Sequence, residues 1–129
     1  MAQPKTAEMT PEALSAGAMR TFFRIAEAWG LTTREQIAIL GSPPRSTFYS
    51  WKRAEQLALP RDTLERLSYV FGIYKALHIL LPKPEAADAW IRKPNSAPLF
   101  GGRSALERML SGQVADLFVV RQYLDAQRG

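Results

Sequence analysis

Helical periodicity, interrupted at short intervals by proline and glycine, governs what this chain can fold into. Thr10-Pro11-Glu12 has the chemistry of a helix start: a hydroxyl that can cap, a proline suited to the first turn and an acid at the positive end of the dipole. Met19, Phe22, Phe23, Ala26 and Trp29 then recur at helical spacing until Gly30 stops the run. Thr32-Thr33-Arg34-Glu35 fits a capping box and starts a second helix, which Gly41 closes. Ser42-Pro43-Pro44 cannot continue a helix, and a third is expected from Arg45 to Glu55. Beyond the break at Leu57-Ala58-Leu59-Pro60, a long helix is expected to reach Leu81, with Leu64, Leu67, Val70, Phe71, Tyr74, Leu77 and Leu81 on one stripe. Pro82 and Pro84 end it. Short helices follow at Ala86 to Ile91 and Ser104 to Leu110, then a final one from Val114 to Ala126. No segment alternates like a strand over more than a few residues. The pattern predicts an all-α chain in two regions, 1–58 and 59–129. Residues 1 to 9 read as a polar, mobile tail.

Composition excludes several functions. The 129 residues contain no cysteine, which removes disulfides, thiol catalysis and cysteine-based metal sites. His78 is the single histidine, too few for a metal site, and a catalytic triad would need a nucleophile and an orienting carboxylate near it. Asp62, Glu65, Glu85 and Asp88 stand at helix starts, where the dipole accounts for them. Gly101-Gly102 lacks the longer glycine pattern and the Lys-Ser/Thr of a phosphate loop. No catalytic residue, metal or cofactor is expected, and an enzyme is disfavoured. No apolar run approaches the roughly 20 residues of a membrane span, and the first residues lack a signal peptide's apolar stretch, so a cytoplasmic location is expected. A net charge of +5 fits contact with nucleic acid or an acidic partner.

A short helix, a tight break and a second short helix describe a helix-turn-helix. Projected at about 100° per residue, Arg45, Tyr49, Lys52 and Arg53 share one side of the third helix with Ser46 and Ser50. Phe48 and Trp51 lie on the other side and anchor it. Arg, Lys, Tyr and Ser side chains are those that reach phosphates and base edges in a major groove. Arg45, Ser46, Tyr49, Lys52 and Arg53 are therefore the candidate DNA contacts. A structural helix-turn-helix without DNA affinity is the other reading these residues leave open. Such readers work as symmetric pairs, and the long helix has apolar surface to share, so a homodimer is expected.

Residues 94 to 112 concentrate turn chemistry: Pro94-Asn95, Phe100-Gly101-Gly102-Arg103-Ser104 and Gly112. Leu117, Phe118, Val119, Val120, Tyr123 and Leu124 make the final helix apolar on more than one face. That pattern serves either a small core or a core plus a partner. Trp90, Pro94-Asn95, Phe100-Gly101-Gly102, Ala105-Leu106, Met109-Leu110, Gly112 and Tyr123-Leu124 together resemble the toxin-binding domain of the Xre/MbcA/ParS antitoxins. The helical first half is similar to that family's Xre-like helix-turn-helix. One departure is Ala105, where family members often carry proline at the start of the short helix.

The resemblance implies a bacterial type II antitoxin. Its partner would be a RES-domain toxin that degrades NAD or transfers its ADP-ribose group. The antitoxin would keep substrate out of that toxin's active site, bind operator DNA and repress its own operon. Toxin contacts are expected at Trp90, Asn95, Phe100, Gly101, Gly102, Arg103, Tyr123 and Arg128. Arg128, beside the terminal Gly129, has the charge and reach to enter a pyrophosphate pocket or to pair with an acid there. The competing reading is a stand-alone transcriptional regulator whose C-terminal region serves only dimerisation.

Overall fold

The computed structural model describes residues 10–129, so the expected tail at 1–9 lies outside the described residues. Seven α-helices make up the described chain: α1 Pro11–Trp29, α2 Thr33–Ile39, α3 Arg45–Arg53, α4 Arg61–Leu80, α5 Pro84–Ala89, α6 Ala105–Met109 and α7 Val114–Arg128. A 3₁₀ turn, Trp90–Arg92, continues from α5. The described residues contain no strand, and the all-α expectation holds.

The punctuation works as its chemistry dictates. The Thr10 hydroxyl accepts from the Ala13 amide at 3.1 Å. At the end of α1, Gly30 takes φ 66°. Its amide bonds to the Glu27 carbonyl at 3.1 Å, and that of Leu31 to Ala26 at 2.9 Å. The end of α2 repeats this Schellman pattern: the Gly41 amide donates to Ala38 at 3.2 Å and that of Ser42 to Ile37 at 2.8 Å. Thr32 and Glu35 form the capping box at the start of α2.

Some boundaries differ from expectation. The third helix stops at Arg53 rather than Glu55, because Ala54 is already extended at φ −73°, ψ 139°. Pro84 does not finish the long helix; it opens α5, at the first position, where the missing N–H costs nothing. Trp90 and Ile91 belong to the 3₁₀ turn. The final helix continues to Arg128.

The long helix α4 is the spine. It packs along α7 and also against α1 and α5, while α3 packs on α1 and α6 packs on α7. Met19, Phe22 and Ile25 of α1 and Phe48 of α3 share one buried cluster with Leu67, Val70, Ile73 and Leu77 of α4. Leu117, Val120 and Leu124 of α7 complete the same cluster. The face of α4 that is buried also contains Thr63 and Arg66, and Leu64 is 42% exposed. The expected stripe was therefore rotated at its N-terminal end: the 3-4 spacing through Thr63, Arg66, Val70, Ile73 and Leu77 is the one that meets the neighbouring helices. No described helix is long and apolar enough to cross a membrane.

Phe22 is fully buried and touches Phe23 edge-on, with ring centroids 5.5 Å apart. Phe22→Ala should lower the unfolding free energy by about 3–5 kcal/mol, read by urea denaturation. Leu64→Ala, on the exposed side of α4, should stay within about 0.5 kcal/mol of wild type.

Candidate functional site

The first candidate surface is the outer face of α3. Phe48 is buried and Trp51 half-buried, while Arg45, Ser46, Tyr49, Ser50, Lys52 and Arg53 are all exposed. The Phe48 ring meets Phe23 of α1 edge-on at 5.6 Å, a contact that orients α3 about its own axis, and the neighbouring Tyr49 ring of α3 lies edge-on to Phe48 at 5.2 Å. The structure thus brings the five candidate DNA contacts onto one open face. Lys52 is less free than its neighbours: its ammonium lies 5.3 Å from the centre of the Phe23 ring. The turn before α3 is rigid. Gly41 has φ 96° and Ser42 φ 61°, and Pro43-Pro44 restrict the backbone leading into α3.

The second candidate surface is the loop from Pro94 to Ser104. It is closed at its base by an antiparallel bridge between these two residues. The Asn95 amide donates to the Arg103 carbonyl at 3.0 Å, and the Gly102 amide donates to the Asn95 carbonyl at 2.8 Å. The Asn95 side chain accepts from the Ala97 amide at 2.9 Å, an Asx turn. Gly101 and Gly102 take φ 58° and 87°, which suit glycine. A Cβ at either would meet nothing within 4 Å, so backbone angle rather than crowding calls for glycine here.

Beneath the loop lie three rings. Phe100, only 5% exposed, meets Tyr123 at 5.2 Å and Trp90 at 6.0 Å, both edge-on. Trp90 and Tyr123 lie nearly parallel, 6.4 Å apart. Of the expected toxin contacts, Gly101, Gly102 and Arg103 are exposed at the tip, and Asn95, Trp90 and Tyr123 are half-buried. Phe100 acts from below as the anchor. Arg128 is not part of this group: with Gly72, Lys75, Arg121 and Asp125 it lines a separate cleft beside α4. Its guanidinium is 3.6 Å from the Asp125 carboxylate. The apolar excess of α7 resolves in the same way. Leu117, Val120 and Leu124 are buried, Tyr123 supports the loop, and Phe118 is 43% exposed beside Tyr69.

Three supports were not picked out in the sequence. Ser104 and Glu107 form a second capping box, whose Ser-x-x-Glu signature was readable. Arg108 donates to the Leu99 carbonyl at 2.7 Å and to Asp116 at 2.8 Å, so it ties the loop to the start of α7. Arg92 reaches from the 3₁₀ turn to Glu35 and to the end of α1. Neither arginine contact has a local signal, because each joins residues distant in sequence or of unrelated type.

A helix-turn-helix is joined through a long spine helix to a loop-bearing helical module, and comparison with known proteins agrees with this architecture. Residues 7–72 match the antitoxin Xre-like helix-turn-helix domain, and residues 76–129 match the antitoxin Xre/MbcA/ParS C-terminal toxin-binding domain. A protein of Sinorhizobium fredii (strain NBRC 101917 / NGR234), named uncharacterized protein y4oB, is 56% identical over 111 residues, spanning 86% of this chain and 84% of that one. The chain belongs to the Xre/MbcA/ParS family of antitoxins. The matched toxin-binding domain implies a toxin as its partner.

The Ser111 hydroxyl, and then the Arg108 guanidinium, hold the Asp116 carboxyl below the usual carboxylate range, with burial opposing them. A carboxylate whose value is depressed by folding stabilises the protein above its unfolded value of about 3.9, and that contribution disappears as pH falls through the folded value. Asp116→Asn should therefore be less stable than wild type at neutral pH. The gap between the two should close as pH is lowered from about 5 toward 2, measured by thermal unfolding across that range.

Proposed function

We propose that this antitoxin neutralises a RES-domain toxin, one that degrades NAD or transfers its ADP-ribose group, and represses its own operon through α3. In this reading residues 1–58 carry DNA binding, and residues 59–129 carry dimerisation and toxin binding, in the cytoplasm. The observation that carries it is the loop from Pro94 to Ser104. Its backbone is closed by its own hydrogen bonds and seated on three rings, yet its tip of Gly101, Gly102 and Arg103 is open. A rigid, glycine-tipped loop loses little entropy on docking, and its backbone can approach a partner closely. Trp90, Asn95 and Tyr123 form its flank, Phe100 keeps its shape, and Arg128 adds a cation at a second point of contact.

Open basic and hydroxyl side chains on α3 support operator binding, with Arg45, Ser46 and Tyr49 at the N-terminal end nearest the bases. A homodimer would present two such helices to a two-fold operator. An antitoxin should have an adjacent, co-transcribed gene for a RES-domain protein, which a stand-alone regulator need not have.

Arg45→Ala should cost about 1–3 kcal/mol in affinity for the DNA upstream of the gene if Arg45 reads a base. The measurement is gel retardation at fixed salt, and an Arg45→Ala, Lys52→Ala double variant with wild-type affinity would remove α3 as the reader. For the toxin, the chain is co-expressed with the RES-domain protein of a neighbouring gene while growth and cellular NAD are followed. Wild type should protect. Gly101→Val with Gly102→Val, which force side chains into left-handed backbone at an open tip, should lose protection while retaining helicity. Arg128→Ala tests the second contact separately. Protection by the loop variant would send the search for the inhibitory surface elsewhere.

A further inference from the structure

Helix α2, the first helix of the helix-turn-helix, is thinly packed. Of its seven residues only Ile39 is buried. Both of its ends are nevertheless held by arginines from later in the chain. At its start, Arg92 donates from Nη2 to Glu35 at 3.2 Å and to the Gly30 carbonyl at 2.8 Å, and from Nε to the Trp29 carbonyl at 3.1 Å. The Glu35 oxygen that Arg92 meets is the same one that accepts from the Thr32 amide in the capping box. One carboxylate thus closes the cap of α2 and receives the clamp. At the other end, Arg66 is 8% exposed. It donates to the Ile39 carbonyl at 3.4 Å, to Asp62 at 2.8 Å and to the Gly112 carbonyl, just before α7, at 2.9 Å. A Cβ on Gly41 would lie 3.0 Å from the Arg66 Nε, so the turn after α2 lies directly against this guanidinium.

Arg92 stands two residues before Pro94, where the toxin-facing loop begins, in the same 3₁₀ turn as Trp90. Arg66 reaches the connection between α6 and α7. We infer that Arg66 and Arg92 are positioning residues: they pin the two ends of α2 to the C-terminal half, and so set α3 on DNA from the frame that carries the toxin-binding loop. The consequence for DNA rests on the proposed operator binding; the pinning does not. Because the same bonds serve both surfaces, displacing the Trp90–Arg92 turn shifts the corner between α1 and α2. Coupling of this kind is reciprocal, so a change at the loop alters DNA affinity and the converse.

The test uses the full chain. Arg92→Ala removes a side chain that is 42% exposed and spares the core. Arg92→Lys keeps the charge but cannot span two carbonyls and a carboxylate with one planar group. Arg66→Met keeps the volume at the other end. Hydrogen exchange followed by mass spectrometry should show residues 32–39 losing about tenfold in protection in Arg92→Ala, with α4 and α7 as in wild type. Arg66→Met should loosen residues 37–43 most. Retardation of the upstream DNA should weaken roughly fivefold to tenfold in Arg92→Ala and remain weakened in Arg92→Lys. Full affinity in Arg92→Lys would make Arg92 a phosphate contact and overturn the positioning role. So would wild-type exchange at residues 32–39 in Arg92→Ala, or loss of protection spread evenly over every helix. If wild type itself retards no DNA, operator binding falls, and the exchange comparison alone decides whether the arginines pin α2.

Discussion

The packing of α4 against its neighbours on both sides is the constraint on which the remaining structure depends. One helix of 20 residues buries Leu67, Val70, Ile73 and Leu77 in a single cluster with α1, α3 and α7. Neither the helix-turn-helix nor the loop-bearing module has a core of its own. In a small chain this arrangement lets every buried side chain contribute to one cooperative structure, where two separate cores would each be marginal. Gly72 lies where the Arg121 side chain of α7 crosses α4, and a Cβ there would collide with the guanidinium. Arg121 lies along α4, its guanidinium 3.4 Å from the Ser68 carbonyl and 3.5 Å from the Asp125 carboxylate.

On this spine the two candidate surfaces are built by different physics. The α3 face is a consequence of amphipathicity: Phe48 and Trp51 turn inward, and the side chains opposite them face water. The loop from Pro94 to Ser104 has no regular secondary structure to stiffen it. Its backbone is held by an Asx turn, a single bridge and two glycines at positive φ, and its underside by Phe100 between Trp90 and Tyr123. Its neighbours finish the task, with Glu107 capping the following helix and Arg108 gripping the Leu99 carbonyl. The Leu99 and Asn95 carbonyls and the Ala97 and Ser104 amides of the loop thereby find partners.

Guanidinium groups occupy the junctions. Arg66, Arg92 and Arg108 each bond to at least one backbone carbonyl and one carboxylate. Several planar donors on one side chain suit such sites, where a helix end and an acid must be served together. Arg66 and Arg92 sit at the C-terminal ends of α2 and α1, where the exposed carbonyls favour a cation. The elements they join are short, so directional bonds supply definition that apolar area alone would not.

Local chemistry determined much of this protein in advance. Thr10, Gly30, Thr32 with Glu35, and Gly41 mark the helix ends because caps act over three or four residues of backbone, a range that sequence spells out directly. The basic face of α3 was legible for the same reason, as rotation per residue is fixed. The turn-rich stretch from Pro94 to Gly112 and the rings at Trp90, Phe100 and Tyr123 carried the resemblance to the antitoxin family. Tertiary structure decided the rest. Two stripes were available on α4, and packing selected the one through Thr63 and Arg66 because Arg66 finds partners at Ile39 and Gly112, 27 and 46 residues away. Of the apolar residues of α7, packing turned Val120 and Leu124 inward, set Tyr123 beneath the loop and left Phe118 partly exposed beside Tyr69. Arg128, grouped with the loop residues by sequence, lies in a different cleft because the α7 face that bears it runs along α4. Contacts between residues far apart in the chain leave no periodic trace, so only the fold could reveal them.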